Sequence, residues 1–356
     1  MIQNQLIMQN RYSPLVSIII ICWNNKKFLR DCIASIYSQS YSNYEIILTD
    51  NASSDDSVEF TQKNYPTVRI IKNRINLGFA EGNNVAMRLV LNEKRSKYIL
   101  ILNPDTTIEP DFIEKLVNAA ERNKTIGAFA PKMLVMNKKN KISSAGGDCI
   151  FRWGDNLSRM FYFENNKNHK EQPVFGPSGA GAFYRVEMLE QIGLYDRFLF
   201  TYYEDVDLNF RIQKSGWGAL YVPNAIMYHY QSGSLNDFNP YKTYLLNRNK
   251  YLVILKNYPL YLMRIYWKEL IRSFAAFARY CFKNELKIVW IKIILFVFFS
   301  LPIILVKRNE LRKITLINDK YIIKRFIEDH EQLMSPEQCQ KSFNEYIQDL
   351  KEREGI

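Results

Sequence analysis

The sequence predicts an α/β fold with a doubly wound, mostly parallel sheet, followed by an α-helical, basic C-terminal extension. Three observations carry this prediction. Tyr98-Ile-Leu-Ile-Leu102 is an unbroken apolar run, the pattern of a strand buried on both faces. Two earlier runs, Val16–Cys22 and Tyr44–Asp50, have the same character and are separated by apolar residues at helical spacing. The order β-α-β-α-β-α-β then fills about 90 residues, which is the order of a doubly wound sheet.

Taken in order, Val16–Cys22 is a buried strand and Trp23-Asn24-Asn25 its exit loop. Phe28, Leu29, Cys32, Ile33 and Ile36 mark a helix across 27–38. The second strand ends on Asp50, and Asn51-Ala-Ser-Ser-Asp-Asp56 offers N-cap residues for a short helix ending near Asn64. A strand at 68–72 precedes Asn76-Leu-Gly-Phe-Ala-Glu-Gly-Asn-Asn84, where Gly78 and Gly82 allow close backbone approach at a helix start. The run from Tyr98 ends at Asn103-Pro104-Asp105. Pro104 has no N–H to give to a ladder, so Asp105 hangs past the carboxyl end of a central strand. Open α/β sheets bind ligands there. A carboxylate beside an Asn amide offers hard oxygen ligands to Mg²⁺ or Mn²⁺, although the same residues would also make an ordinary turn.

After this strand, 111–123 reads as an amphipathic helix, 126–135 as a strand with a basic hairpin behind it, and 152–172 as loop. Phe175-Gly-Pro-Ser-Gly-Ala-Gly181 is rich in small residues, the pattern of a tight strand where backbones pack closely. Val186–Ile192 looks helical, with Gly193 as its C-cap. Phe200-Thr-Tyr-Tyr-Glu-Asp-Val-Asp207 places three acids in four residues at a helix start. With a start near Asp205, Glu204 and Asp207 share a face and Asp205 points elsewhere. The helix macrodipole alone would favour acids there, but the aromatic lead-in points to a partly enclosed cleft in which a carboxyl is desolvated. A strand at 217–222 is expected to stop at Pro223, and His229, one of three histidines, follows.

The bulk numbers bound the function. The chain has 356 residues and a formal charge of +12. Residues 251–313 carry +9 of it, with 12 Lys/Arg against 3 Glu, and the front 250 are nearer balance. Basic residues interleave there with Tyr, Trp and Phe around the uncharged run Ile293–Val306, a pattern that points to a membrane surface. At 14 residues that run is short for a simple bilayer span. No nucleic-acid reader motif accompanies the charge. No GxGxxG follows the first strand, so the dinucleotide reading is weak, and the absence of GxxxxGK[ST] excludes a P-loop. The five cysteines are scattered without CxxC spacing, which argues for a reducing compartment and against a zinc site. Met1–Ser13 is polar and shows no signal peptide. Residues 318–356 read as a polar helical tail or a homo-oligomer contact.

Four stretches together, Val16–Cys22, Asp50–Asp55, Asn76–Asn84 and Leu102–Asp105, resemble the family 2 glycosyltransferases of GT-A fold. Within them the likeness is to the rhamnosyltransferase-like branch that builds bacterial surface polysaccharide such as O-antigen, and it spans about residues 14–250. The resemblance implies an inverting, metal-dependent transferase moving a sugar, such as rhamnose from dTDP-rhamnose, from a nucleoside-diphosphate sugar to a saccharide acceptor, here expected to be lipid-linked. It implies donor contacts from Trp23, Asn24, Asp50, Asn51, Gly78, Asn83, Asn103 and Asp105, and a metal on Asp105 and His229. Asp205 takes the place of the general base, with Glu204 and Asp207 in support. Gly179, Ala180, Gly181, Tyr203 and Arg211 fall on the acceptor side. The expected organisation is a catalytic domain over 14–250, membrane-associating helices over 251–317 and a tail over 318–356, held on the cytoplasmic face of the membrane. The rival readings are a nucleotidyl or phosphosugar transferase and a non-catalytic, membrane-docked sugar-binding protein.

Overall fold

The computed structural model describes residues 13–151, 153–165, 169–230, 239–318 and 336–354. The first half alternates as the spacing predicts: β1 Val16–Cys22, α1 Lys26–Tyr37, β2 Tyr44–Asp50, α2 Ser57–Asn64, β3 Arg69–Lys72, α3 Gly78–Glu93 and β4 Tyr98–Leu102. β5 Thr106–Ile108, α4 Phe112–Arg122, β6 Ile126–Val135 and β7 Lys138–Ala145 follow. Then come β8 Asp148–Ile150, β9 Asn156–Ser158, β10 Gln172–Val174, β11 Gly181–Arg185, α5 Val186–Ile192, α6 Glu204–Lys214 and β12 Gly218–His229.

The main sheet runs β10-β12-β6-β11-β4-β1-β2-β3, with β5 beside β12 and β7 beside β6. Its β4-β1-β2-β3 half is wholly parallel. The other half is mixed, because β11 enters antiparallel between β4 and β6. Gly181 of β11 therefore pairs with Leu102 of β4, which brings the small-residue segment to the same sheet edge as Asp105. Alternate strand residues feed two cores. Ile18, Ile20, Leu100 and Leu102 pack on α1 and α4, whereas Ile19, Ile47, Ile99 and Ile101 pack on α3, α5 and one face of α6. This is the three-layer arrangement that a parallel sheet requires.

Two expectations about the second half are corrected. Pro223 does not end a strand: β12 runs on to His229, and the pairing with β6 skips between Val222 and Ile226. A bulge is where a strand tolerates a residue with no N–H to give. The stretch 152–172, expected as loop, contains β9, which pairs with β8, and the first residue of β10; residues 152 and 166–168 lie outside the described residues.

The C-terminal part begins with α7 Pro240–Asn257, followed by α8 Leu260–Ile265, α9 Trp267–Lys283, the 28-residue α10 Lys287–Ile314, and α11 Pro336–Glu354. The second face of α6, with Val206 and Phe210, packs on Leu252, Val253, Tyr258, Leu262 and Ile304 from these helices. α6 is thus covered on both sides, and all its residues are buried. α10 is long and apolar enough to cross a membrane, yet only 17% of its most apolar window is buried within the protein. Ile293, Ser300, Ile304 and Leu311 are its buried residues, and Arg308 donates to the Leu255 carbonyl at 2.7 Å. Of the expected tail, residues 319–335 lie outside the described residues, and α11 returns to the sheet, with Tyr346 against Phe161 and Tyr162 and Glu345 paired to Lys141 at 2.9 Å.

Candidate active site

The carboxyl ends of β1, β2 and β4 lie side by side, and their exit loops are tied together by short polar side chains. Asn24, at φ 53°, accepts from the Ser54 backbone N–H at 2.7 Å, and Asp50 accepts from the Ser53 N–H. Asn51 accepts from Asn73 and donates to the Gly78 carbonyl at 2.9 Å, fastening the β2 loop to the start of α3. Trp23 stays 42% exposed at the rim. Gly78 is needed twice over: its φ is +76°, and a Cβ there would come within 2.4 Å of the Phe200 carbonyl oxygen. Asn83 is fully buried and donates to the Phe79 carbonyl.

Beyond β4, the Asp105 carboxylate lies 3.4 Å from His229 Nε2, because β5 holds Thr106 opposite His229. The Tyr230 N–H also donates to the Asp105 carbonyl at 3.0 Å. Burial pushes the Asp105 carboxyl up, but the His229 imidazole and, more weakly, Lys27 outweigh it and hold it below its ordinary value. One carboxylate and one imidazole this close fit a divalent cation, whose shell places neighbouring ligand atoms ~3 Å apart. Among the described residues no third His, Cys, Asp or Glu joins them, so the remaining positions would fall to ligand oxygens and water. Asn103, two residues before Asp105, supports the fit: its Oδ1 is buried with no partner among the described residues.

The small-residue segment links this pair to α6. The Asn103 N–H donates to the Ala180 carbonyl at 3.1 Å, and the Gly179 N–H donates to Asp205 Oδ2 at 2.8 Å. Gly181 has a packing role, since a Cβ there would meet Met227 Sδ at 2.3 Å.

Because α6 is buried all round, each of its polar side chains needs a partner. Asn209 donates to Pro177, and Gln213 to Val174 and Phe175. Asp207 accepts from Arg211, Lys256 and Asn257 at 2.8–3.1 Å. Burial would raise Asp207, but Lys256 and Arg211 reverse this and lower it. Among the described residues Asp205 has backbone N–H donors only, from Gly179 and Val206, and burial leaves its carboxyl above the ordinary value. Glu204 Oε2 is buried without a partner among the described residues, and burial together with the Asp205 charge raises that carboxyl well above normal.

Three expected site residues are therefore placed elsewhere. Asp207 belongs to an ion network running through Lys256 to Asp196 and Lys307. Arg211 spends its guanidinium on Asp207 and on the carbonyls of Ile192, Gly193 and Leu194. Tyr203 is packed in the core formed with α7 and donates to the Gly154 carbonyl. Helical spacing put Glu204 and Asp207 on one face, but the partner of that face, Lys256, comes from a helix about 50 residues later.

Other residues enter only through the fold. Asp148, at the start of β8, is buried and pushed up to about 7 by burial and by the Asp205 charge, while Ser158 and Asn156 donate to it. Asn249 donates to the carbonyls of Leu199, Thr201 and Tyr202. That clamp holds Phe200, Tyr202 and Tyr203 at positive φ, a left-handed run of non-glycine residues that aims the start of α6. The glycine pair before Asp148 was the one local sign of its position: a Cβ on Gly147 would meet the Gly176 carbonyl oxygen at 1.9 Å.

Comparison with known proteins places the chain in a family. Residues 17–193 match glycosyl transferase family 2. The chain is 26% identical over 240 residues to an N-acetylglucosaminyl-diphospho-decaprenol L-rhamnosyltransferase of Mycobacterium tuberculosis, covering 62% of this chain and 78% of that protein. It is also 26% identical over 244 residues to a low-salt glycan biosynthesis hexosyltransferase of Haloferax volcanii, covering 67% and 74%. Among solved structures, GalNAc-T7 with UDP, GalNAc and Mn²⁺ superposes with a TM-score of 0.64 at 14% identity. That match covers 90% of this chain and 58% of the GalNAc-T7 chain, and it shows a shared GT-A fold. The chain belongs to glycosyl transferase family 2 through residues 17–193, with its likeness on the rhamnosyltransferase-like side of that family.

Proposed function

We propose that this glycosyltransferase is an inverting enzyme that transfers a sugar from a nucleoside-diphosphate donor to a lipid-diphosphate-linked saccharide. The observation that carries the reading is the pairing of two unlike sites across the 178–181 segment: Asp105 with His229 on one side, and Asp205 on the other. Asp105 and His229 would hold Mg²⁺ or Mn²⁺, which when bound neutralises charge on the departing diphosphate. The exit loops with Trp23, Asn24, Asp50 and Asn51 would frame the nucleoside. Asp205 accepts the acceptor hydroxyl's proton as that oxygen bonds the anomeric carbon. The bond from that carbon to the diphosphate breaks, and its electron pair leaves with the nucleotide. A carboxyl raised by burial suits proton acceptance near neutral pH better than an ordinary one. One displacement inverts the anomeric centre, and no nucleophilic residue is required.

Rhamnose, and a prenyl diphosphate carrying the acceptor sugar, are proposed from the mycobacterial relative's name. A peripheral position on the cytoplasmic face of the membrane is proposed from α10, one face of which is packed on the protein while the rest is exposed. The test is transfer from dTDP-rhamnose to a GlcNAc-diphosphoryl lipid with Mn²⁺ or Mg²⁺. The product should have the anomeric configuration opposite to that of the donor, and chelation should stop its formation. Undiminished transfer in excess chelator would remove the metal from the mechanism, and a retained configuration would remove single displacement.

A further inference from the structure

We propose that a groove between α7 and α10 seats the hydrocarbon chain of the lipid-linked acceptor, with Lys292 at its rim facing the diphosphate. This rests on the transfer reaction proposed above and names where its acceptor is held. The groove has a volume of about 460 Å³, within the ~300–1,000 Å³ of small-molecule clefts. Its walls are Phe198, Tyr244, Leu295, Phe296, Phe299 and Ile303. Lys292 is the one charged side chain among the described lining residues. An apolar recess with a single cation at its edge matches an anionic amphiphile better than a polypeptide.

Two features tie the groove to the chemistry. Phe198 lies in the turn Arg197–Leu199, and the same connection runs through Phe200–Tyr203 into Glu204 and Asp205. Arg248 braces that turn and the groove wall together. Its guanidinium sits 4.9 Å from the Phe296 ring centroid and 5.4 Å from that of Tyr244, and it donates to the Leu199 carbonyl at 2.8 Å. The outer lip is open, with Phe299 73% and Leu295 50% exposed, and it continues into the apolar face of α10 at Ile291, Phe298 and Leu305. An exposed apolar surface of this extent marks an interaction site. A bilayer surface can cover the convex face, and a chain laid along the groove adds packing against Phe198, Phe296 and Ile303 that a flat surface does not supply. The excess of Lys/Arg over Glu across 251–313, twelve against three, adds a long-range attraction for an anion even with Lys256 and Lys307 paired to Asp207 and Asp196.

The experiment photolabels the full chain with a benzophenone-bearing farnesyl diphosphate and maps the labelled peptides. Label should fall on α7 and α10 at the groove, and unlabelled farnesyl diphosphate should displace it whereas phosphatidylglycerol vesicles should not. Ile303→Trp, which fills the recess from a partly exposed position, should cut labelling about tenfold and raise KM for the lipid-linked acceptor by a similar factor, with kcat little changed. Phe299→Ser, which removes a wall at the surface, should act in the same direction if Ile303→Trp lowers the melting temperature. Label elsewhere, equal displacement by the vesicles, or an unchanged KM in both variants would overturn the groove. Metal-dependent binding of the nucleotide sugar, read on the same preparation, separates the two proposals. Its loss sinks the transfer reaction, whereas binding without label in the groove sinks this inference alone.

Discussion

Asp205 and Asp207 stand two residues apart at the start of one buried helix, and they live under opposite electrostatic rules. Asp207 faces α7, where Lys256, Asn257 and Arg211 surround it and hold its carboxyl below the ordinary value. Asp205 faces the 178–181 segment, receives only backbone N–H groups among the described residues, and sits above the ordinary value because burial wins. Its neighbours Glu204 and Asp148 are raised as well. A buried carboxylate with dedicated cations is a structural joint, and breaking it costs stability. A cluster of buried carboxyls with no cation on it among the described residues costs stability as it stands, and perturbed carboxyls of this kind cluster at functional sites. The difference ties Asp207 to the C-terminal helices through Lys256 and Asn257, and it is the reason Asp205 is the residue proposed for proton transfer.

The sharpest way to break that contrast is Asp205→Asn. Transfer should fall by ~10²–10⁴-fold, the usual contribution of a general base, while the melting temperature holds or rises. Asp207→Ala should do the reverse: it removes the carboxylate shared by Arg211 and Lys256, leaving Lys256 only Asp196 among the described residues, and should cost ~3–5 kcal/mol in denaturant unfolding. Asp105→Ala should weaken metal-dependent donor binding by more than the ~10–100-fold that losing a partner of a metal ligand costs, read in titration calorimetry, without moving the metal-free melt by as much as Asp207→Ala does.

The smallest effect lies in pH. Glu204, Asp205 and Asp148 have raised folded values, so the stability they lend is complete below their unfolded values near ~4 and is lost as pH rises through the folded ones, about 7 for Asp148. Asp207 and Asp196 are lowered, so their contribution is present above ~4 and is lost as pH falls through the depressed values. Asp148→Asn should therefore flatten the decline in melting temperature between about pH 5 and 7 and leave the acid limb unchanged. An unaltered decline would mean that Asp148 carries no strain from Asp205.

The first half of the sheet is legible in the sequence because each of its strands is a local apolar run and each exit loop carries its own polar residues. Asp105 past β4, Gly78 at the α3 start and Gly193 after α5 follow from backbone chemistry that acts within a few residues. The second half is less legible. The insertion of β11 between β4 and β6 depends on pairing across about 80 residues, and β12 passes Pro223 by a bulge that its own residues do not announce. The start of α6 shows the limit most plainly. Three acids in four residues look alike in sequence, and what sorts them is Lys256 and Asn257 from α7, together with Gly179 and Asp148 from the other side. The family resemblance implies an acceptor-side place for Arg211 and Tyr203, but α6 is covered on both faces, and the two side chains are engaged by Asp207, by backbone carbonyls and by packing.

The most direct test of the central claim is to measure, on Asp205→Asn, metal-dependent nucleotide-sugar binding and sugar transfer in the same preparation. The account predicts donor binding and a melting temperature like those of the unaltered protein, with transfer reduced by at least ~10²-fold. Transfer at an undiminished rate would contradict it and move the proton acceptor away from Asp205.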